Sequence, residues 1–401
     1  MKYIVILCDG MADEPLEELG GRTPLEAART ENMGRLAKSS EIGMVQTVPD
    51  GMAPGSDTAN LSVIGYDPRK YYTGRSPLEA LSIGAPMEPS DVSFRCNLVT
   101  LSEEEENYED RHILDHSSDE ISTEEAAELL RALSEGLKRD GYTFYVGTSY
   151  RHLLIQKNGT VVELTAPHDI LTKRIGEYLP EDEVLREMMI KSYDILKDHP
   201  INVKRRAEGK NPANSAWFWG AGTRPMLTSF EEKNGVKGAM ISAVDLLKGI
   251  AAGAGMHNII VEGANGGLNT NYSGKAEAAV KALTEDGFDF VYVHIEAPDE
   301  MGHQGSVERK IQAIENIDEK IIGPVNRALD AEGTAYRMLI LPDHPTPIRV
   351  RTHTSDPVPY LLYDSTKAMD GMDTYSEKTG RETGIFEKEG YHLIDHLLSV
   401  K

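Results

Sequence analysis

Seven side chains of this sequence have the chemistry of metal ligands, and they fall in separate clusters along the chain. They are Asp9, Ser56, Asp299, His303, Asp343, His344 and His353. Carboxylates, imidazoles and one serine hydroxyl together make up the set that a two-metal phosphoryl-transfer site requires. Mixed imidazole and carboxylate ligands without cysteine suit Mn²⁺ or Zn²⁺ better than an all-oxygen cage. We therefore expect two divalent ions and favour Mn²⁺, with Zn²⁺ or Mg²⁺ as alternatives.

The spacing within these clusters is informative only when the clusters are taken together. Asp299 and His303 are four residues apart, so one helical turn places both side chains on the same face, where they could hold one cation. Asp343 and His344 follow an apolar run, in a loop that prolines stiffen. Each match alone is weak, and His353 alone predicts nothing. Their joint position at strand-to-loop junctions is what indicates one shared site.

Ser56 has two interpretations, which are compatible with each other. It follows Gly55 and precedes a predicted helix over 57–64, so an ordinary helix N-cap is one reading. The other is a nucleophile, because a serine at a helix N-terminus beside a divalent cation is placed to ionise and attack phosphorus.

The elements that must position these residues alternate between strands and helices. Residues 3–8 are continuously apolar and β-branched, which predicts a strand buried on both faces and followed at once by Asp9. Further strands are predicted at 44–48, 92–99, 240–242, 258–262, 288–295 and 337–341, and helices at 243–252, 274–284 and 307–331. This alternation predicts an α/β fold with a mostly parallel sheet covered by helices on both faces. Ligands then bind beyond the carboxyl ends of the strands.

The stretch 108–179 has a different pattern of helices and strands, and it is predicted to be a small inserted α+β domain that acts as a lid. It combines an amphipathic helix at 123–138 with short strands at 143–146, 152–156 and 161–164. Asn158-Gly159 between the last two strands is a strong hairpin signal. We accordingly expect a catalytic domain formed by 1–107 and 180–401, interrupted by a lid at 108–179.

Composition excludes several classes of partner. Lys and Arg number 42 against 65 Asp and Glu, and the net charge of −23 disfavours nucleic acid and anionic membranes as partners. No apolar stretch has the length of a membrane span or of the core of a secretion signal. Cys8 and Cys96 lie in apolar runs, where core packing is the usual role. We expect a cytoplasmic protein with a small-molecule substrate; the oligomeric state stays open.

The motifs of this chain resemble those of the alkaline-phosphatase superfamily. Within it, the chain is similar over nearly its whole length to the archaeal-type branch of 2,3-bisphosphoglycerate-independent phosphoglycerate mutases, which also occurs in bacteria. The motifs that carry the resemblance are Cys8-Asp9-Gly10, Gly55-Ser56-Asp57-Thr58-Ala59, Ala297-Pro298-Asp299-Glu300-Met301-Gly302-His303, Asp343-His344-Pro345-Thr346-Pro347, His353-Thr354-Ser355-Asp356-Pro357 and Gly220-Ala221-Gly222-Thr223-Arg224-Pro225.

The resemblance implies an alkaline-phosphatase-like fold and roles for individual residues. One metal would be bound by Asp9, Ser56, Asp343 and His344, and the other by Asp299, His303 and His353. Ser56 would take the phosphoryl group from one carbon of glycerate, hold it as phosphoserine, and return it to the neighbouring carbon. The implied reaction interconverts 3-phosphoglycerate and 2-phosphoglycerate, and the lid would keep water from the intermediate.

A phosphorylated carboxylic acid also needs cationic side chains, of which arginine is the best planar partner. The candidates for substrate binding are Arg151, His152, Arg95, Arg111, Arg224 and Lys275, together with Arg75. Arg151 with His152, in the predicted lid, is the strongest choice. For each of the others, a structural role is an equal alternative.

Two departures from the family pattern keep a second function open. Residues 115–120 are acidic where the mutases of this branch tend to carry an arginine, and a proline follows His344 where a serine is common. An acidic loop could accept an ammonium group, as a homoserine-type substrate would need. The chain also resembles a bacterial subgroup of this branch proposed to be homoserine kinases, which implies a homoserine kinase-like phosphotransferase as the alternative. A non-catalytic sensor would be marked by a lost ligand, and none is lost. A simple phosphatase or sulfatase fits the predicted lid less well than a transferase does.

Overall fold

The computed structural model describes residues 1–367 and 369–399. Its strands are, in chain order, β1 Lys2–Cys8, β2 Ser40–Val45, β3 Val92–Leu101, β4 Ile113–Asp115, β5 Tyr142–Thr148, β6 Arg151–Gln156, β7 Ser215–Thr223, β8 Gly238–Ile241, β9 His257–Ile259, β10 Phe290–Ile295, β11 Tyr336–Leu341, β12 Val358–Asp364 and β13 Phe386–Glu387. Most of the strands predicted from apolar runs are confirmed with shifts of a few residues at their ends. The strand expected at 44–48 lies earlier, at β2.

The α-helices are, in chain order, α1 Pro24–Ala27, α2 Glu31–Ala37, α3 Ser56–Ile64, α4 Pro68–Tyr71, α5 Arg75–Ser82, α6 Thr123–Gly136, α7 Glu183–Leu196, α8 Pro200–Ala207, α9 Phe230–Asn234, α10 Asp245–Gly253, α11 Tyr272–Thr284, α12 Ala297–His303, α13 Val307–Ile317, α14 Gly323–Ala331, α15 Glu377–Glu382 and α16 Leu393–Leu398. The single helix predicted at 307–331 is interrupted by a π-helical stretch, Asp318–Ile322. There the Asp318 carboxylate accepts hydrogen bonds from the backbone N–H groups of Asn32 and Met33. Within the described residues, no helix combines the length and hydropathy needed to cross a membrane.

The chain forms two compact units, Met1–Tyr72 with Leu227–Lys401, and Thr73–Met226. The second unit is wider at both ends than the insertion predicted at 108–179. The reason is that β3 is its central strand and pairs with both β6 and β7, so residues well outside the predicted boundaries belong to the same sheet. Strand pairing of this kind is set by tertiary contacts, which the change in composition near residue 108 does not report.

The first unit contains a sheet with the order β13-β2-β12-β11-β1-β10-β8-β9. The pairs β11-β1, β1-β10, β10-β8 and β8-β9 are parallel, whereas β12 is antiparallel to both of its neighbours. Ile4, Ile6 and Cys8 of β1 belong to one apolar cluster, and the alternate residues Val5 and Leu7 are also fully buried. Because successive side chains of a strand point to opposite faces, both faces of the sheet are covered. The predicted mostly parallel α/β fold is confirmed.

The second unit is an antiparallel sheet, β4-β3-β6-β5 with β7 on the other side of β3, which packs against α6 and α7. Its core includes Trp217, whose indole Nε1 donates to the Thr165 carbonyl over 2.8 Å. The hairpin predicted at Asn158-Gly159 is wrong. The hairpin instead joins β5 to β6 around Ser149, which has a positive φ of 56°. β6 lies between β3 and β5, so it has no free edge that could pair with residues 161–164, which form no strand.

Candidate active site

The predicted metal ligands follow three neighbouring strands of the first unit's sheet. Asp9 comes directly after β1, Asp299 lies in α12 just after β10, and Asp343 lies two residues after β11. Since β10, β1 and β11 are adjacent and parallel, their carboxyl ends meet at one edge. This topology brings together side chains that are hundreds of residues apart in sequence.

The first group of ligand atoms converges on His344. Its Nε2 lies 3.1 Å from Ser56 Oγ, 3.3 Å from Asp343 Oδ2 and 3.5 Å from Asp9 Oδ1. Ligand atoms about 2.0–2.2 Å from a tetrahedral ion are about 3.3–3.6 Å from one another. The separations from His344 Nε2, 3.1 to 3.5 Å, are close to that range, so the group could hold a single cation.

A second group adjoins the first. Asp299 Oδ2 lies 3.1 Å from His303 Nε2, and Asp299 Oδ1 lies 3.3 Å from His353 Nε2. The two histidine Nε2 atoms are 3.1 Å apart. Asp299, His344 and His353 also bring ligand atoms within 4.8 Å of one another, so His344 lies at the boundary of the two groups. The structure thus brings together all seven of the predicted ligands.

The electrostatics of this site fit divalent cations. Asp9 Oδ1 is buried and has no hydrogen-bond partner within the described residues. Burial, followed by the nearby carboxylates of Asp343 and Asp299, raises the pKa of Asp9 well above its ordinary value. A buried carboxylate oxygen without a donor is costly. Cations bound among the three carboxylates would remove that cost and hold the carboxylates ionised.

Asp299 behaves differently because the two histidines face it. Burial alone would raise the pKa of Asp299, but hydrogen bonds from His303 and His353 lower it well below its ordinary value. The same hydrogen bond to Asp299 raises the pKa of His303 to about 9. Metal binding requires neutral imidazole, so a cation here would displace protons from this cluster.

Ser56 is the first residue of α3, and Gly55 rather than Ser56 occupies the N-cap position. The Ser56 side chain makes no capping hydrogen bond, so the N-cap interpretation is wrong. Its hydroxyl instead contacts His344. The start of a nine-residue helix favours negative charge, which suits a hydroxyl that becomes an alkoxide.

Sequence reasoning missed several residues that hold the ligands in place. His294 of β10 is fully buried, with Nε2 2.8 Å from Asp9 Oδ2 and Nδ1 3.1 Å from Ser242 Oγ. Burial lowers the pKa of His294 to about 3, which keeps the imidazole neutral. A histidine within the apolar run of β10 was the signal available. Partners of this kind orient a ligand and fix its hydrogen bonding.

Asp343 is held in the same manner. Asn60 Nδ2 donates to Asp343 Oδ2 and to the Ser56 carbonyl, each over 2.8 Å, and Tyr292 donates to Asn60 Oδ1 over 2.6 Å. The backbone N–H of Gly10 donates to Asp343 Oδ1 over 3.1 Å. Asn60 lies one helical turn after Ser56, so both are fixed by α3.

The predicted substrate-binding residues are divided between the two units. Lys275 lies in the first unit, fully buried, with Nζ donating to the His294 carbonyl over 3.0 Å. Burial lowers the pKa of Lys275 to about 8. Through its hydrogen bond to the His294 carbonyl, Lys275 contacts the residue that orients Asp9.

In the second unit, three candidates are engaged in local structure. Arg111 donates to the Ser102 carbonyl and stacks 4.0 Å over Tyr193. Arg224 donates to the Met87 carbonyl. His152 is buried and accepts the Gly147 N–H, and burial lowers its pKa to about 4.

Three candidates remain: Arg95 and Arg75, which are both ion-paired with Glu79, and Arg151. They lie in or beside a cluster of aromatic and cationic groups that the sequence did not reveal. Arg95 lies 4.3 Å over the Trp219 ring, and the guanidinium of the exposed Arg151 lies 5.4 Å from the Tyr150 ring. His168 packs edge-on against Trp219 at 5.2 Å and against His116 at 6.0 Å. We call Arg95, Trp219, His168, His116 and Arg75 the aromatic–cationic cluster. Burial, and then the charges of His116, Arg95 and Arg75, lower the pKa of His168 despite the opposing effect of Asp169.

The acidic stretch 115–120 is explained by its own loop. The Asp115 carboxylate accepts from the N–H groups of Ser117 and Asp119 and from Asn211 Nδ2. Ser118, Asp119 and Glu120 have consecutive positive φ angles of 51°, 54° and 49°, a costly run for side chains other than glycine. The Asp115 carboxylate holds this turn, which gives the acidic stretch a structural role.

We expect that replacing Gly10 with alanine damages the site through sterics. Gly10 has φ +62°, and a Cβ there would meet Thr346 Oγ1 at 2.6 Å and Asp299 Cα at 2.7 Å. The strain and the overlap together should cost about 2–4 kcal/mol of unfolding free energy. Activity should fall at least tenfold.

The matched control is Gly20→Ala, because Gly20 has φ +68° but nothing within 4 Å of the added Cβ. It carries the backbone strain alone, which is about 1–2 kcal/mol, and should keep activity. Chemical denaturation and turnover measured on both variants check the prediction. Equal losses in the two variants would contradict the steric explanation.

Comparisons with known proteins converge on one family. The model of the family described as 2,3-bisphosphoglycerate-independent phosphoglycerate mutase matches residues 37–202. A relative named probable 2,3-bisphosphoglycerate-independent phosphoglycerate mutase, from Geobacter sulfurreducens, is 47% identical over 99% of this chain and 100% of its own length. The enzyme so named from Methanothrix thermoacetophila is 46% identical over the whole of both chains.

Solved structures agree with this. A Pyrococcus horikoshii protein superposes with a TM-score of 0.82 at 31% identity, covering 100% of this chain and 98% of its own. The cofactor-independent phosphoglycerate mutase from Thermoplasma acidophilum has a TM-score of 0.65 at 29% identity, with 99% of each chain covered.

Proposed function

The chain belongs to the 2,3-bisphosphoglycerate-independent phosphoglycerate mutase family, and we propose that it interconverts 3-phosphoglycerate and 2-phosphoglycerate through a phosphoserine at Ser56. The observation that carries the proposal is the convergence of seven ligands around two adjoining sites, with the Ser56 hydroxyl 3.1 Å from His344. The buried Asp9 Oδ1 without a donor supports a cation at that point.

We assign Asp9, Ser56, Asp343 and His344 to one divalent ion and Asp299, His303 and His353 to the other. Bound ions would act as Lewis acids that favour the serine alkoxide and offset the charge of the transferring phosphoryl group. We favour Mn²⁺, with Zn²⁺ or Mg²⁺ as alternatives. Two buried thiols, Cys8 and Cys96, fit the reducing cytoplasm expected from the sequence.

The chemistry assigned to the protein conserves atoms over the whole cycle. Ser56 Oγ forms a bond to phosphorus while the bond between phosphorus and the glycerate oxygen breaks, and the serine proton ends on that oxygen. The glycerate then presents its neighbouring hydroxyl, whose oxygen attacks phosphoserine and whose proton returns to Ser56. Nothing is consumed, so neither a nucleotide nor 2,3-bisphosphoglycerate is required.

We propose that cationic side chains recognise the carboxylate and the phosphate of the substrate. In the second unit, Arg95, Arg151 and the aromatic–cationic cluster offer guanidinium and imidazole groups that suit a carboxylate or phosphate. In the first unit, Lys275 lies beside the residue that orients Asp9. We also propose, from its sequence, that the segment 108–179 acts as a lid that keeps water from the phosphoserine.

The proposal predicts that the purified protein, loaded with Mn²⁺, converts 3-phosphoglycerate to 2-phosphoglycerate without added bisphosphoglycerate. The conversion can be followed with enolase as the coupling enzyme or by phosphorus NMR. Removal of metal with a chelator should abolish turnover, and added Mn²⁺ should restore it. A metal-loaded protein that gives no conversion would refute the assignment.

The same preparation decides the homoserine alternative. Because the Asp115 carboxylate already accepts hydrogen bonds from its own loop and from Asn211, the acidic stretch has a structural explanation that needs no ammonium-bearing substrate. We therefore expect no ATP-dependent phosphorylation of homoserine. Turnover of ATP with homoserine would show that the acidic loop has a role beyond the turn.

A further inference from the structure

A buried lysine lies behind the loops that carry the metal ligands. Lys310, on α13, has no exposed surface, and its ammonium group donates to Asp13 Oδ2 over 2.8 Å, to the Thr346 carbonyl over 2.8 Å and to the Ala12 carbonyl over 3.3 Å. Its three acceptors come from two separate loops, one after β1 and one after β11. The lysine thus bridges the loop that carries Asp9 to the loop that carries Asp343 and His344.

Asp13 extends this bridge on one side. Its side chain is fully buried and accepts the backbone N–H of Ile348 as well as that of Glu14. The Asp13 N–H in turn donates to Glu377 Oε1 over 3.1 Å. The first loop is therefore fastened to the second loop and to α15.

Thr346 extends the bridge on the other side, toward the second ligand group. Its carbonyl accepts from Lys310, its N–H donates to the Ala12 carbonyl, and its hydroxyl donates to Asp299 Oδ1. The Thr346 hydroxyl also lies 3.3 Å from His344 Nδ1. A displacement of Thr346 would consequently reach a ligand of each proposed metal.

We propose that Lys310 is a positioning residue which, with Asp13, sets the relative placement of the ligand loops before any cation binds. The proposal rests on the metal ligation put forward in the proposed function. A buried ion pair contributes little net stability compared with apolar side chains of the same volume. Apolar side chains, however, could not donate hydrogen bonds to the Ala12 and Thr346 carbonyls, which belong to different loops. The ammonium group therefore fixes the position of the two loops rather than adding stability.

The test replaces Lys310 and Asp13 together, so that neither member of this ion pair is left buried without the other. Lys310→Met combined with Asp13→Asn removes the ammonium group and its counter-charge, while the asparagine keeps an acceptor for the Ile348 N–H. Mn²⁺ affinity of the metal-free protein is measured by electron paramagnetic resonance of the free ion, and its Tm by calorimetry. We expect Mn²⁺ binding to weaken by about 10- to 100-fold, the range found when partners of metal ligands are lost.

The matched control is Arg337→Met with Asp364→Asn. This ion pair joins β11 to β12 over 2.8 Å and is also largely buried, but neither residue contacts a ligand loop. Its removal should lower Tm without changing Mn²⁺ affinity. A partial rescue is expected from Lys310→Gln with Asp13→Asn, because the glutamine retains N–H donors, and this variant also serves if the methionine variant does not fold.

The outcomes separate this inference from the function itself. Mn²⁺ affinity within threefold of wild type in both Lys310 variants would overturn the positioning role and leave Lys310 as a structural group. Failure of the wild-type protein to bind Mn²⁺ at all would instead refute the metal site on which the proposed function depends.

Discussion

Replacing Ser56 with alanine is expected to abolish the interconversion of phosphoglycerates, with a loss of about 10⁴-fold or more in kcat. The reason is that the hydroxyl is both the atom that accepts the phosphoryl group and a member of the first ligand group, 3.1 Å from His344. No other hydroxyl in that ligand group could take over the attack. The fold should persist, because the Ser56 side chain makes no capping bond to α3.

The control for this variant is Ser62→Ala on the same helix. The Ser62 hydroxyl is buried and has no hydrogen-bond partner in the part of the chain that the structure describes, so its removal should leave turnover within about twofold. Turnover is measured for both variants, and rapid quenching followed by mass spectrometry tests for a phosphoryl group on the peptide that contains residue 56. A wild-type enzyme that never carries this phosphoryl group, or an active Ser56→Ala variant, would disprove the phosphoserine route.

The parts of the fold predicted correctly are those encoded by local pattern. Continuous apolar runs mark strands buried on both faces, and β1 and β11 are two clear cases. A parallel sheet directs its carboxyl ends to one edge, so ligand-type residues that follow such runs are expected to meet there. This is why seven residues from distant clusters were predicted as one site although each motif alone was weak.

The parts that the sequence did not reveal depend on tertiary partners. The second unit spans Thr73–Met226 and includes the pairing of β3 with β7, which no local change in composition marks. Lys310 and His294 appear in the sequence as an ordinary lysine of an amphipathic helix and a histidine in a strand. Their importance comes from acceptors contributed by loops far away in the chain. The sequence alone does not tell whether an arginine binds substrate or packs within the fold, for the same reason. Arg111 is an example, because it stacks on Tyr193.

Asp9→Asn is expected to lower turnover while raising the stability of the metal-free protein. Asp9 is buried beside Asp343 and Asp299, and burial with these like charges raises its pKa. Removing the charge should stabilise the metal-free protein by about 1 kcal/mol or more, because a costly buried carboxylate is replaced by a neutral amide. Without this ligand, Mn²⁺ should bind far more weakly and turnover should fall by about 10³-fold or more.

Calorimetry with and without Mn²⁺ measures both effects, since a ligand at a hundred times its Kd adds about 2.7 kcal/mol of stability. We expect a higher Tm for the metal-free variant than for the metal-free wild type, and little further rise when Mn²⁺ is added. Asp318→Asn is the control, because that buried carboxylate accepts backbone N–H groups and lies outside both ligand groups. It should lower Tm and keep the Mn²⁺ response. A metal-free Asp9→Asn protein less stable than wild type would show that the carboxylate is compensated without a cation, so the argument for a metal at Asp9 would fail.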